Sequence, residues 1–143
     1  MRVLDIINAK SEPKPQVKQS DSVLAAVRHM LSIKETGLLI LTPAGDVVGI
    51  ITQKDVLRLI AERYTQLEKV EVWEVMSKNL TTVPSETPLD QALGLMTENH
   101  IHHLPVVRDG KTVGLISLDD IISARLKRTE SEAQLLKDFI AQQ

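Results

Sequence analysis

The chain has no cysteine among its 143 residues. That excludes disulfides, thiolate nucleophiles and cysteine-based zinc sites. It has one tryptophan, one tyrosine and one phenylalanine, so stacking platforms for single-stranded nucleic acid are missing. Positive charge is not in excess. The net charge is −2, and no basic field draws in a polyanion. No apolar run approaches the roughly 20 residues of a bilayer span. The opening MRVLDIINAK is too charged, with too short an apolar run, for a secretory leader. The expected setting is the cytoplasm, with no nucleic-acid and no membrane partner. Neither a Gly-x-x-x-x-Gly-Lys phosphate loop nor a nucleophile elbow occurs. No catalytic residue, no catalytic cofactor and no enzymatic activity are expected.

What is present is aliphatic. Hydrophobic residues make up 43% of the chain, so a core must be built from Val, Ile, Leu, Ala and Met. Their arrangement repeats. Val17 to Met30 lies over Val83 to Met96 at a constant offset of 66. Val48-Gly49-Ile50-Ile51-Thr52 lies over Val113-Gly114-Leu115-Ile116-Ser117 at an offset of 65, and Asp55 then falls on Asp120. The one-residue change falls in TPAGD against RDGK, where a hairpin loop absorbs it. The leaders match too: Leu4-Asp5-Ile6-Ile7 resembles Trp73-Glu74-Val75-Met76.

Each copy has the same local grammar. Val23, Ala26, Val27, Met30 and Leu31 line one helix face, as do Leu89, Ala92, Leu93 and Met96. Thr87-Pro88-Leu89-Asp90 reads as a capping residue, a first-turn proline and an acid three residues after the cap. Two apolar runs around a Pro/Gly/Asp turn then read as a β-hairpin. A second helix follows, from Gln53 to about Tyr64 or from Leu118 to about Leu126. With a short strand near Val17 and Val83, each copy reads β-α-β-β-α, an α/β (α+β) fold. Neither copy buries enough surface alone, so two packed about a pseudo-twofold axis are expected. The division is residues 1–64, a linker at 65–71, residues 72–127, and a separate amphipathic helix at 128–143. That last helix carries Ala133, Leu136 and Ile140 with Leu135 and Phe139 beside them. It must bury this stripe on its own chain or on another subunit.

The repeated Thr52-x-x-Asp55 and Ser117-x-x-Asp120 admit two readings. One is a capping box, with hydroxyl and acid satisfying the first amides of a helix. The other is a ligand site. A helix N-terminus with free amides suits phosphate, and an ionised Asp accepts from the two hydroxyls of a ribose. Gly49 and Gly114 fit either a close approach of another group or a strand bend. His100, His102 and His103 invite a metal reading. A helix end running into a strand would turn them apart, and no metal is expected. Asp119 and Asp120 point about 100° apart on a helix and do not form a catalytic pair. Trp73 is expected to anchor the linker against the second repeat. Lys54, beside Asp55, is a candidate phosphate contact.

With His-x-Leu-Pro-Val-Val and Gly-Leu-Ile-Ser-x-x-Asp in one copy and Gly-Ile-Ile-Thr-x-x-Asp in the other, residues 3 to 127 resemble a tandem CBS domain pair, or Bateman module, of the stand-alone type. The resemblance implies a regulatory sensor of adenosine ligands, namely AMP, ADP, ATP, NAD or S-adenosylmethionine, with AMP favoured. It also implies a homodimer acting on a target protein the sequence does not name. By the family pattern, the first cleft sets Thr52, Lys54 and Asp55 against Leu80, Thr81, Ile101, His102 and Pro105. The second sets Ser117 and Asp120 against Pro15, Val17, Thr36 and Leu39, with Glu35 near the phosphate path. Leu39 replaces the usual proline there, and SEPKP adds three residues before the strand, so the first cleft is expected to be the better formed. The alternative is a ligand-independent dimerisation or scaffold module.

Overall fold

The computed structural model describes residues 1–10, 14–63 and 66–142. The insertion at 11–13, the expected helix end at Tyr64 and the linker start at Thr65 lie outside them. In chain order the elements begin with α1 (Val3–Ala9), β1 (Gln16–Lys18), α2 (Val23–Ile33), β2 (Gly37–Leu41), β3 (Val47–Thr52) and α3 (Gln53–Arg63). Two short 3-10 turns follow, at Leu67–Lys69 and Val72–Glu74. The second repeat then gives β4 (Val83–Pro84), α4 (Leu89–Asn99), β5 (His103–Arg108), β6 (Lys111–Ser117) and α5 (Leu118–Ala141). The β-α-β-β-α reading of each copy is what is found.

Each repeat holds a three-stranded sheet, ordered β1-β2-β3 and β4-β5-β6. The first pair in each runs parallel and the second antiparallel. The near-continuous apolar runs have a clear cause. Successive side chains leave a strand on opposite faces, and here both faces are covered. Leu38, Ile40 and Ile51 enter the first repeat's core, while Leu104, Val106 and Ile116 enter the second's. The intervening Leu39, Ile50 and Leu115 form a third cluster where the two sheets meet. Asp109 and Gly110 both take positive φ, at 52° and 76°, the backbone of a tight two-residue hairpin turn.

The leaders change places. By sequence α1 belongs with the first repeat, yet Val3 and Ile6 are buried in the second repeat's core. Val70 and Val72, which lead into the second repeat, are buried in the first repeat's core. The backbone bonds come in matched pairs. Val72 N–H donates to Asp21 O at 2.9 Å, and Val3 N–H donates to Thr87 O at 2.9 Å. Val23 N–H donates to Val70 O at 2.7 Å, and Leu89 N–H to Met1 O at 3.2 Å. Equivalent atoms meeting in exchange is the signature of a pseudo-twofold axis.

The glycines of the two strands follow from the same exchange. A Cβ on Gly49 would lie 2.6 Å from Met76 Sδ and 2.9 Å from Ser77 O. A Cβ on Gly114 would lie 2.7 Å from Ile7 Cδ1. Another segment of the chain, rather than a strand bend, requires these glycines.

Three local expectations are corrected. Thr87 does not cap α4. Pro88 holds the cap position without a side-chain bond, because the leader's Met1 carbonyl takes the Leu89 amide instead. Trp73 does not anchor the linker to the second repeat. It is half exposed, its indole N–H donates to Glu71, and neighbouring Val72 fills the first core. The C-terminal segment is not a separate helix: α5 runs unbroken through 24 residues, since no glycine or proline interrupts it after Ser117.

Candidate functional site

In each repeat the last strand runs straight into a helix, and the hydroxyl-x-x-Asp motif sits at that junction. In the second repeat the capping box is reciprocal. Ser117 N–H donates to Asp120 Oδ2 at 2.8 Å, and Asp120 N–H donates to Ser117 Oγ at 3.1 Å. In the first repeat both contacts run one way. Thr52 N–H and Thr52 Oγ1 donate to Asp55 Oδ2, at 2.9 and 3.2 Å. Asp55 Oδ1 meets Arg58 only at 3.5 Å, a weak contact. Asp55 is 6% exposed, a carboxylate with acceptor capacity held at the wall of a cavity.

That cavity, of about 530 Å³, lies between the repeats. Thr52, Lys54, Asp55, Leu80, Thr81, Ile101, His102 and Pro105 all line it. The whole first-cleft set is therefore brought to one place. Ile50, Gln53, Arg58, Ser77, Asn79, His100 and His103 line it too and were missed by sequence reasoning. Arg58 was within reach of such reasoning, since it stands one helical turn after Asp55. Ser77 and Asn79 were not, because they arrive with the exchanged leader.

The three histidines have different surroundings. His100 closes α4 in the left-handed conformation, φ 53°, and His102 is exposed. His103 starts β5, and a 2.8 Å hydrogen bond joins its Nε2 to Thr36 Oγ1. Burial lowers the His103 pKa to about 4, with the neighbouring His102 and, further off, Lys10 adding to the effect and Asp120 and Asp119 opposing it. His103 is therefore neutral near pH 7.

The second set is arranged differently. Val17 buries its side chain in the first repeat's core. Leu39 packs with Ile50 and Leu115 and takes a 2.8 Å backbone bond to Pro15 O. Thr36 is engaged by His103. Asp120 Oδ2 receives Lys10 Nζ at 2.8 Å, and the same ammonium reaches Glu35 Oε1 at 3.2 Å. Lys10 was not anticipated at this place.

Two matched repeats, exchanged leaders and a cleft between them carry a family assignment, and comparison with known proteins agrees. The CBS domain matches residues 5–62 and again 72–127. The chain belongs to the CBS domain family. It is 32% identical over 124 residues to a mitochondrial CBS domain-containing protein of Arabidopsis thaliana, CBSX3, covering 84% of this chain and 60% of that protein. The chain thus spans three fifths of that relative's length, and 23% of the larger Arabidopsis relative CBSCBSPB1. Among solved structures, a protein with CBS domains from Burkholderia ambifaria superposes with a TM-score of 0.80 at 28% identity, covering 89% of this chain and 95% of that one. The CBS domain pair of protein MJ0100, solved with 5'-methylthioadenosine and S-adenosyl-L-methionine, gives a TM-score of 0.74 at 27% identity, with 91% and 98% covered. Among the described residues no helix is long and apolar enough to cross a membrane.

Proposed function

We propose that this CBS pair is a regulatory sensor that binds an adenosine ligand in the first cleft, with AMP the favoured ligand, and that it catalyses no reaction. The carrying observation is Asp55: a buried carboxylate on the cavity wall with one oxygen held by Thr52 and the other lightly engaged. Such a group accepts from a ribose diol. Leu80, Ile101 and Pro105 offer an apolar lining for the adenine, and Lys54 and Arg58 stand on the same wall for phosphate. Those cations favour anionic ligands such as AMP, ADP, ATP and NAD over the sulfonium of S-adenosylmethionine. The adenosine compounds bound by protein MJ0100 support the ligand class. A cavity of about 530 Å³ is in the range of small-molecule sites.

The proposal includes a homodimer. Leu57 and Ile122 are equivalent residues of the two repeats, and both are exposed, as are Leu135, Leu136, Phe139 and Ile140. These exposed apolar side chains support an interface between copies of the chain. Closure of the cleft would then move one subunit against the other and be read by a target protein. We assign the module to the cytoplasm, where free adenine nucleotides are available to be sensed.

A scaffold without a ligand is the competing reading, and the reciprocal Ser117–Asp120 box favours it for that half. A thermal-shift panel of AMP, ATP, NAD and S-adenosylmethionine separates them. A ligand at 100 times its Kd adds about 2.7 kcal/mol of stability. No shift with any compound favours the scaffold.

A further inference from the structure

We propose that Lys10 is a built-in occupant of the second cleft, so that the chain takes an adenosine ligand in the first cleft alone. The inference rests on the adenosine-binding reading and adds a stoichiometry and its cause.

The pseudo-symmetry places Lys10. The leaders match at an offset of 69, and the packing of Ile7 on Gly114 and Met76 on Gly49 realises that register in space. Carried three residues on, Lys10 is the counterpart of Asn79. Asn79 lines the first cleft. At the matching place in the second, a short neutral side chain is replaced by a long cationic one.

The ammonium is closely engaged there. It donates to Glu35 Oε1 at 3.2 Å and to Leu115 O at 3.0 Å, and it pairs electrostatically with Asp120 Oδ2 at 2.8 Å. Two hydrogen bonds and two carboxylates thus surround the one ammonium. Glu35 belongs to the first repeat and Asp120 and Leu115 to the second, so Lys10 stitches together the two walls a ligand would separate. The Lys10, Glu35 and Asp120 side chains are each 19% exposed, sheltered enough for the pairs to exceed an ordinary surface bridge. Asp120 Oδ2 also accepts from Ser117 N–H. A ribose that engages Oδ2 must displace Lys10, which would strand Glu35 against any phosphate that followed. Asp55 shares the N–H contact, from Thr52, but no lysine is lodged against it: its cationic partner is the exposed Arg58, 3.5 Å away.

Two measurements on the full-length protein test the proposal. The first needs no ligand: brief acetylation with acetic anhydride, read residue by residue by mass spectrometry. Lys10 should react several-fold more slowly than the exposed Lys34 and Lys111, and Asp120→Asn should abolish that protection. Labelling of Lys10 as fast as the exposed lysines overturns the proposal. The second is a titration followed by amide NMR, with adenosine as the probe because it is neutral toward Glu35. In the wild type, shifts should centre on Thr52, Asp55 and Thr81. Lys10→Ala should add a second set at Thr36, Ser117 and Asp120. Wild-type shifts at Ser117 and Asp120 as large as those at Asp55, or a Lys10→Ala spectrum that responds as the wild type does, overturn it. Absence of any wild-type response at Thr52 and Asp55 would instead refute adenosine binding itself, while the acetylation rates still decide whether Lys10 fills the second cleft.

Discussion

Gly37 and His103 hold equivalent positions in the two repeats and touch across the pseudo-twofold axis. A Cβ on Gly37 would lie 2.6 Å from His103 Cδ2 and 2.8 Å from its Nε2. One copy gives up its side chain so that the other can place an imidazole between the repeats. Gly37→Ala should therefore destabilise the fold by about 1–3 kcal/mol through overpacking. In a His103→Ala background the same change should cost well under ~1 kcal/mol, since coupled neighbours are not additive. Urea denaturation of the four proteins measures the coupling. Equal costs in both backgrounds would mean that the two residues do not press on each other.

The same histidine makes stability depend on pH. Its pKa falls from 6.5 to about 4 on folding. Above pH 6.5 it is neutral in both states and the contribution is complete. Between pH 6.5 and about 4 the unfolded chain binds a proton that the native chain refuses, so stability falls as pH falls. The loss attributable to His103 across that window is about 3 kcal/mol. His103→Asn should remove this part of the slope, while carboxylates and the other histidines act in both proteins. Parallel stability–pH curves for wild type and variant would refute the assignment.

The far half of α5 should matter for assembly and little for the fold of one chain. Residues 130 to 141 are all exposed, and changes at such surfaces shift stability by about 0.5 kcal/mol or less. Deleting residues 130–143 should leave the unfolding free energy of a diluted chain nearly unchanged and weaken the dimer, as light scattering against concentration would show. A truncated chain still fully dimeric at low micromolar concentration would exclude the tail from the interface.

Much of this architecture was legible because it is written twice. The in-register glycines, hydroxyls and aspartates marked both strand-to-helix junctions, and the turn between two apolar runs made each hairpin readable. The eight first-cleft residues were placed by the family resemblance, carried onto the matching positions of each copy. The leader exchange was not legible. An amphipathic turn such as Val3 to Ile7 shows that it must bury a face, but the sequence does not say against which copy. Lys10 followed the same fate, since its partners Glu35 and Asp120 are 25 and 110 residues away and meet it only through that exchange. Thr87 misled because its caplike sequence is overridden by a backbone carbonyl from Met1.

The central claim, that the first cleft holds the ligand through Asp55, is tested most directly by calorimetric titration of AMP into Asp55→Ala and Asp120→Ala. Asp55→Ala should lose the charge-assisted hydrogen bonds to ribose, weakening binding by about 1.5–3 kcal/mol, roughly ten- to a hundred-fold. Asp120→Ala should leave the affinity at the first cleft close to that of the wild type. Equal affinities for both variants and the wild type, or loss confined to Asp120→Ala, would contradict the account.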